Sequence, residues 1–410
     1  MKSHILLLTI LVGAACHKSH SSTPGAGPQP AALQLGDPLP GLTADELAAF
    51  ERGKVLFGKR FGPSDGLGPL YNATSCASCH SKPVMGGSAE LYRNFYVATL
   101  GGPGASTTIP PLPSPVVPAF GGDTLDLPWS SERGRWPIPQ AFVQVAQRNS
   151  IPTFGTGLFE FISNDTITSN ADPDDLDGDG ISGRTNRDGA GHGRFGVKAQ
   201  SNNIEFFTRA PLMNQMGITT QPFNGSAGTV SLEHGMMVQA SSNPNAATTD
   251  DDGVTDPELK PHELGDLIAF TRFLAPPQPK AFDAAATRGE QLFSDIGCAK
   301  CHIPELPSSR GPVRAYTDLL IHDMGPDLAD NVGFGTPQTS LAGPDHTGSE
   351  FRSAPLWGVS HFGPYMHDGR AATLDEAIRL HGGEAAAIRD LYEALSVSER
   401  ADIISFLEHL

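Results

Sequence analysis

The chain has 410 residues, 39% hydrophobic and 18% charged, which suits a globular protein with room for two cores and excludes a disordered one. Its formal net charge of −17 excludes nucleic acid, or an anionic membrane surface, as a partner held by charge. Gly 46 and Pro 35 are high counts and imply long loops with modest regular structure.

The first residues read as an export signal. Lys2 is basic and Ile5 to Val12 form an apolar run too short to span a bilayer. Gly13-Ala14-Ala15 then precede Cys16, resembling a lipoprotein signal in which Cys16 is lipidated after cleavage. Gly13 stands where leucine is usual, so ordinary cleavage near Ala14 or Ala15 is the alternative. The expectation is a periplasmic lipoprotein anchored to the membrane through Cys16, with residues 1–16 as signal and 17–42 as a flexible tether. Thr43-Ala44-Asp45-Glu46 is a capping box and predicts a helix start.

Cys76-Ala77-Ser78-Cys79-His80 follows, and Cys298-Ala299-Lys300-Cys301-His302 repeats it. Two cysteines two residues apart, then histidine, form the attachment pattern of a c-type haem. Each thiol adds to a vinyl group, and the histidine becomes the proximal iron ligand. Two copies predict two covalently bound c-type haems held by Cys76, Cys79, Cys298 and Cys301, with His80 and His302 on the irons. A zinc site would need a further Cys or His pair at ligand spacing. Of five cysteines only Cys16 is left over, so no structural disulfide is expected.

The surroundings repeat as well. Arg52-Gly53-Lys54-Val55-Leu56-Phe57 precedes the first motif and Arg288-Gly289-Glu290-Gln291-Leu292-Phe293 the second. His262 to Phe270 and Ser398 to Phe406 match at equal offsets, with helical spacing of apolar positions. Each unit therefore runs helix, haem motif, loops, closing helix. The fold class expected is mainly α, with two cytochrome c-like domains at 43–275 and 276–410, long loops, and an extended insertion in the first. Gly101 to Arg133 reads as mostly loop, as does Pro244 to Pro257, and Ala275-Pro276-Pro277-Gln278-Pro279 as the linker. Asp175, Asp177 and Asp179, with Gly after the second and third, resemble the start of a calcium loop, although Asn186 replaces its terminal glutamate. The alternative is a solvated Asp/Gly turn.

Further stretches are familiar: Gly68 to Ser75, Gly193-Arg194-Phe195-Gly196-Val197-Lys198-Ala199, Thr317 to Gly325, Tyr365-Met366-His367-Asp368-Gly369-Arg370 and His381-Gly382-Gly383-Glu384-Ala385. Together they resemble the bacterial dihaem oxidoreductase family of peroxidase-like proteins, also labelled thiol oxidoreductases and distantly similar to dihaem cytochrome c peroxidases. Two departures stand out: Val197 in place of tryptophan and Met366 in place of leucine. The resemblance implies a low-spin C-terminal haem passing electrons to an N-terminal haem where an oxidant reacts. It also implies a distal ligand fourteen residues beyond His367, which is His381. Bis-histidine ligation would lower that haem's potential relative to a His/Met pair. Alternatively, His381 is a surface group at a helix end.

The sixth ligand of the first haem is open among Met85, His192, Met213, Met216 and His234. Peroxide chemistry also needs an acid–base group. Glu160, flanked by apolar residues, is the candidate and is either poised by burial or simply paired. His322 reads as a hydrogen-bonding histidine between domains rather than a catalytic one. A small cytochrome or a cupredoxin-like protein is the expected electron donor. The rival readings are a non-enzymatic electron-transfer cytochrome and a subunit of a larger redox complex.

Overall fold

The computed structural model describes residues 33–102, 105, 107–108, 114–121, 143–188, 191–220, 230–233, 236–239, 253–333 and 348–410. Cys16, His234 and most of Pro244 to Pro257 lie outside them.

The helices are α1 (Ala44–Gly58), α2 (Asn164–Thr168), α3 (Ile204–Met216), α4 (Pro261–Phe273), α5 (Ala284–Asp295), α6 (Leu374–Arg379), α7 (Ala386–Ala394) and α8 (Val397–His409). None of the described helices is long and apolar enough to cross a membrane. Helix α1 begins at the expected capping box, with the Thr43 hydroxyl accepting from the Glu46 N–H. Helix α8 has the same box between Ser396 and Glu399.

The repeat in the sequence is a repeat in packing. Helix α1 crosses α4 as α5 crosses α8. At the first crossing, Arg52 forks onto Asp266 through Nε at 2.8 Å and Nη2 at 2.7 Å. At the second, Arg288 forks onto Asp402 at the same two distances, 2.8 and 2.7 Å. Gly53 lies directly on the Asp266 carbonyl and Gly289 on that of Asp402, so a Cβ at either place would overlap backbone. The Phe57–Phe270 and Phe293–Phe406 ring pairs follow, at 4.8 and 5.2 Å. Phe57 and Phe293 then meet the rings of His80 and His302 at 6.1 and 6.3 Å.

Three features differ from the sequence reading. An antiparallel ladder pairs Phe95–Leu100 with Val143–Arg148 over six residues, from Phe95 opposite Arg148 to Leu100 opposite Val143. Val116–Val117 and Thr107–Thr108 add to its other edge, so part of the expected loop is sheet. Valine and threonine in those short runs suit a pleated, half-buried surface. The tether also stops short of residue 42. Leu39 N donates to Phe273 O at 2.7 Å and Ala275 N to Asp37 O at 2.9 Å, clipping that segment to the end of α4. The proline-rich linker is packed too, with Ala275 buried and Gly155 N donating to Leu274 O at 3.0 Å. One core runs from Phe50, Phe159 and Phe270 on to Leu319, Trp357 and Phe362.

The helix crossings supply the first test. Gly289→Ala should cost about 1–3 kcal/mol, as overpacking does, measured by urea unfolding of the haem-loaded protein. Arg288→Ala should leave the midpoint nearly unchanged, because that guanidinium is exposed.

Candidate functional site

Each motif opens on one tight helical turn, Cys76–Ser78 and Cys298–Lys300. Ser75 caps the first, accepting from Ser78 N. Gly297, in the left-handed conformation at φ 99°, lets the chain leave α5 directly into the second.

The histidines show how the sites are set. His80 Nδ1 is 3.1 Å from Gly87 O, and His302 Nδ1 is 2.9 Å from Tyr316 O. A carbonyl only accepts, so Nδ1 carries the proton and Nε2 keeps its lone pair, the state a metal needs. Gly87 lies against the Lys82 carbonyl with no room for a Cβ, which lets its own carbonyl reach the ring. Burial pushes the basicity of both rings down, that of His302 to about 4, so both stay neutral at ordinary pH.

The C-terminal site is a cavity of about 310 Å³ lined by Phe293, Leu374, Ile378, Tyr392 and Ile403, with Cys298, Cys301 and His302 in its wall. His381 lies in the same wall. Its Nδ1 is 2.8 Å from Ala377 O, one helical turn back, so its Nε2 is likewise left with a lone pair. Burial lowers its basicity as well. Two neutral imidazoles with their outer nitrogens tied to backbone therefore serve one apolar cavity beside two thiols.

These residues fit a haem. The Cys76 and Cys298 thiols are pushed up to about 12 by burial, so neither is an activated thiolate of the redox-dithiol kind. Arg352, also on the cavity wall, is buried at 9% exposure. Its Nη1 donates to Arg194 O at 2.9 Å, while Nε finds no partner among the described residues. Asp318 already offsets part of this buried charge, and Nε would be open to a further anion, such as a carboxylate of porphyrin.

Other candidates are placed as follows. Glu160 is paired: Oε2 accepts from Arg272 Nε at 2.6 Å and Oε1 from Ile204 N at 3.0 Å, which caps α3. Of the two readings of Glu160, the structure has the paired one. Met213 and Met216 are buried on α3, and Met85 packs against the core. The acidic loop groups Asp175 and Asp177 with Asp172, not with Asp179. Asp179 instead holds Lys300, inside the second motif, at 2.8 Å. Asp172 and Asp175 already accept from Leu176 N and Gly180 N of their own loop. Val197, where tryptophan was expected, lines the C-terminal cavity. His322 is buried between two carboxylates, with Nε2 2.9 Å from Asp318 Oδ2 and Nδ1 3.0 Å from Glu384 Oε2. Burial works against its charged form, but the bonds to Asp318, Cys301 and Glu384 prevail and raise its basicity well above the ordinary value.

The family model described as "Di-haem oxidoreductase, putative peroxidase" matches residues 129–410. The chain belongs to that di-haem oxidoreductase family. It is 31% identical over 138 residues to methylamine utilization protein MauG of Methylorubrum extorquens, covering 32% of this chain and 35% of that protein. It is 29% identical over 163 residues to cytochrome-c peroxidase IdrP1 of Denitromonas iodatirespirans, covering 32% and 41%. The matched part is thus less than half the length of either relative. Among solved structures, Kuenenia stuttgartiensis hydrazine synthase superposes over 95% of this chain and 98% of that one, at 18% identity and a TM-score of 0.38.

Two haems per chain are expected from the pyridine haemochrome absorbance, against one in a Cys298→Ala, Cys301→Ala, His302→Ala variant. An unchanged count in that variant would show that the second motif holds none.

Proposed function

We propose that this chain is an exported, peroxidase-type dihaem c-type cytochrome, with electrons entering at the C-terminal site and an oxidant reacting at the N-terminal one. The observation that carries the reading is the C-terminal cavity, whose wall holds both His302 and His381, each with Nδ1 tied to a backbone carbonyl and Nε2 left with a lone pair. Cys76 with Cys79 and Cys298 with Cys301 would hold the haems by thioether bonds, with His80 and His302 as proximal ligands. His381 would be the second ligand of the C-terminal haem. When bound, each haem supplies an iron centre that exchanges single electrons.

The rest falls to the protein. Tyr316, Ala377 and Gly87 hold the three imidazoles in one tautomer through their carbonyls. The apolar wall excludes water, and Arg352 would take a propionate. Residues 43–275 and 276–410 form the two haem units. The net charge of −17 favours a donor with a basic face, such as a small cytochrome or cupredoxin-like protein.

Spectroscopy and turnover together test this reading. The ferric protein should show one bis-imidazole low-spin haem, and His381→Ala should turn that haem high-spin or water-bound. His381→Met should introduce a sulfur charge-transfer band and raise one potential only. Reduced protein should be oxidised by hydrogen peroxide; two low-spin haems inert to peroxide would leave a plain electron-transfer cytochrome. Intact mass should include both haems after denaturation, as covalent attachment requires. For anchoring, Cys16→Ser should move the protein from the membrane to the soluble fraction, haems retained. An unchanged distribution would remove the lipid anchor.

A further inference from the structure

Glu384 stands three residues beyond His381, and its carboxylate is fully engaged. Oε1 accepts from Ser182 Oγ at 2.6 Å and from Asp323 N at 3.3 Å. Oε2 accepts from Ser182 N at 3.1 Å and from His322 Nδ1 at 3.0 Å. Four donors on one largely buried carboxylate, one of them a histidine held by Asp318 on its other side, make a stiff joint. Three distant segments meet there: the acidic loop, the strand Ile321–Asp323 and the turn Gly383–Ala385.

The backbone is equally close. Gly383, at φ 53°, presses on the Asp323 carbonyl and the Gly325 N–H, where a Cβ would overlap both. Gly382 sits against the Met324 carbonyl. The turn that follows His381 is therefore seated on Asp323 to Gly325 and locked by Glu384. On its other side the residue is held within its own half, by the Nδ1 bond to Ala377 O at 2.8 Å and by Arg389 Nη1, which donates to His381 O at 3.0 Å. The acidic loop reaches the second motif at another point, through the Asp179–Lys300 ion pair.

We infer that Glu384, with Ser182 and His322, is the positioning residue of His381, which would be the second ligand of the C-terminal haem: it fixes the turn after His381 and so keeps that imidazole in the wall of the cavity. The acidic loop of the first half would thus serve the ligand set of the second haem. The inference rests on the assignment of His381 proposed above.

The test compares Glu384→Ala, Glu384→Gln, Ser182→Ala and His381→Ala in the holoprotein, reading spin state and the two reduction potentials. Glu384→Ala should lose part of the low-spin signal of one haem and shift its potential, leaving the other haem unmoved. Glu384→Gln, which keeps an oxygen for Ser182 Oγ and Asp323 N, should restore much of the signal. Ser182→Ala should have a smaller effect that vanishes in the Glu384→Ala background, as expected of groups acting through one joint. If Glu384→Ala does not retain both haems, the Gln and Ser182 variants carry the same measurement. Parent-like spectra and potentials in the Glu384 and Ser182 variants, with a high-spin His381→Ala, would overturn the clamp and keep the ligand. A parent-like His381→Ala would remove the ligand and the clamp together.

Discussion

The structure depends on two places where helices cross with no side chain between them. Gly53 on Asp266 and Gly289 on Asp402 bring each opening helix onto its closing helix at backbone contact. That closeness places Phe57 and Phe293 against both the partner helix and the motif histidine. The haem motif follows the opening helix by only a short loop, so its position is inherited from the crossing. The Arg–Asp forks beside the glycines align the helices, but their arginines are solvent-exposed and contribute little net energy. The stabilisation comes from apolar burial around the phenylalanines, at about 25 cal/mol per Å² removed from water.

Between the two crossings the protein buries an unusual amount of charge. Arg148 meets Asp330 at 2.6 Å with both side chains nearly inaccessible. Lys198 is buried beside them, its Nζ donating to Glu350 O at 2.9 Å and lying 4.0 Å from the Phe351 ring centroid. Burial lowers its basicity to about 8, against the opposing pull of Asp330. Arg184 pairs with the buried Glu350 close by. Desolvating such groups costs several kcal/mol each before their attraction offsets it. Such a network makes a poor source of stability but a strict determinant of geometry, since a half-satisfied member is penalised heavily. It joins residues on either side of the linker, consistent with the core that continues past it.

The local patterns were legible in the sequence because they are fixed by short-range chemistry. The CxxCH spacing, the capping box at Thr43 and the helical period of the closing helices each involve residues within a turn or two of one another. The paired glycines and Arg–Asp offsets showed that the two halves share a plan. By contrast, the ladder from Phe95 to Arg148 was missed, because its strands are short, lie in a glycine- and proline-rich stretch, and pair across more than forty residues.

What the sequence alone determined is the chemistry at two points: four thiols and two histidines at the spacing that a c-type haem requires. Tertiary structure decided what surrounds them. That Glu160 spends its charge on Arg272 and Ile204, that Asp179 reaches Lys300 and that Ser182 meets Glu384 are contacts between residues 44 to 202 positions apart. No period or motif encodes such pairs, since a carboxylate looks the same in sequence whether it is poised, paired or solvated. Only the folded path of the chain fixes its dielectric surroundings and its donors, and those set its role.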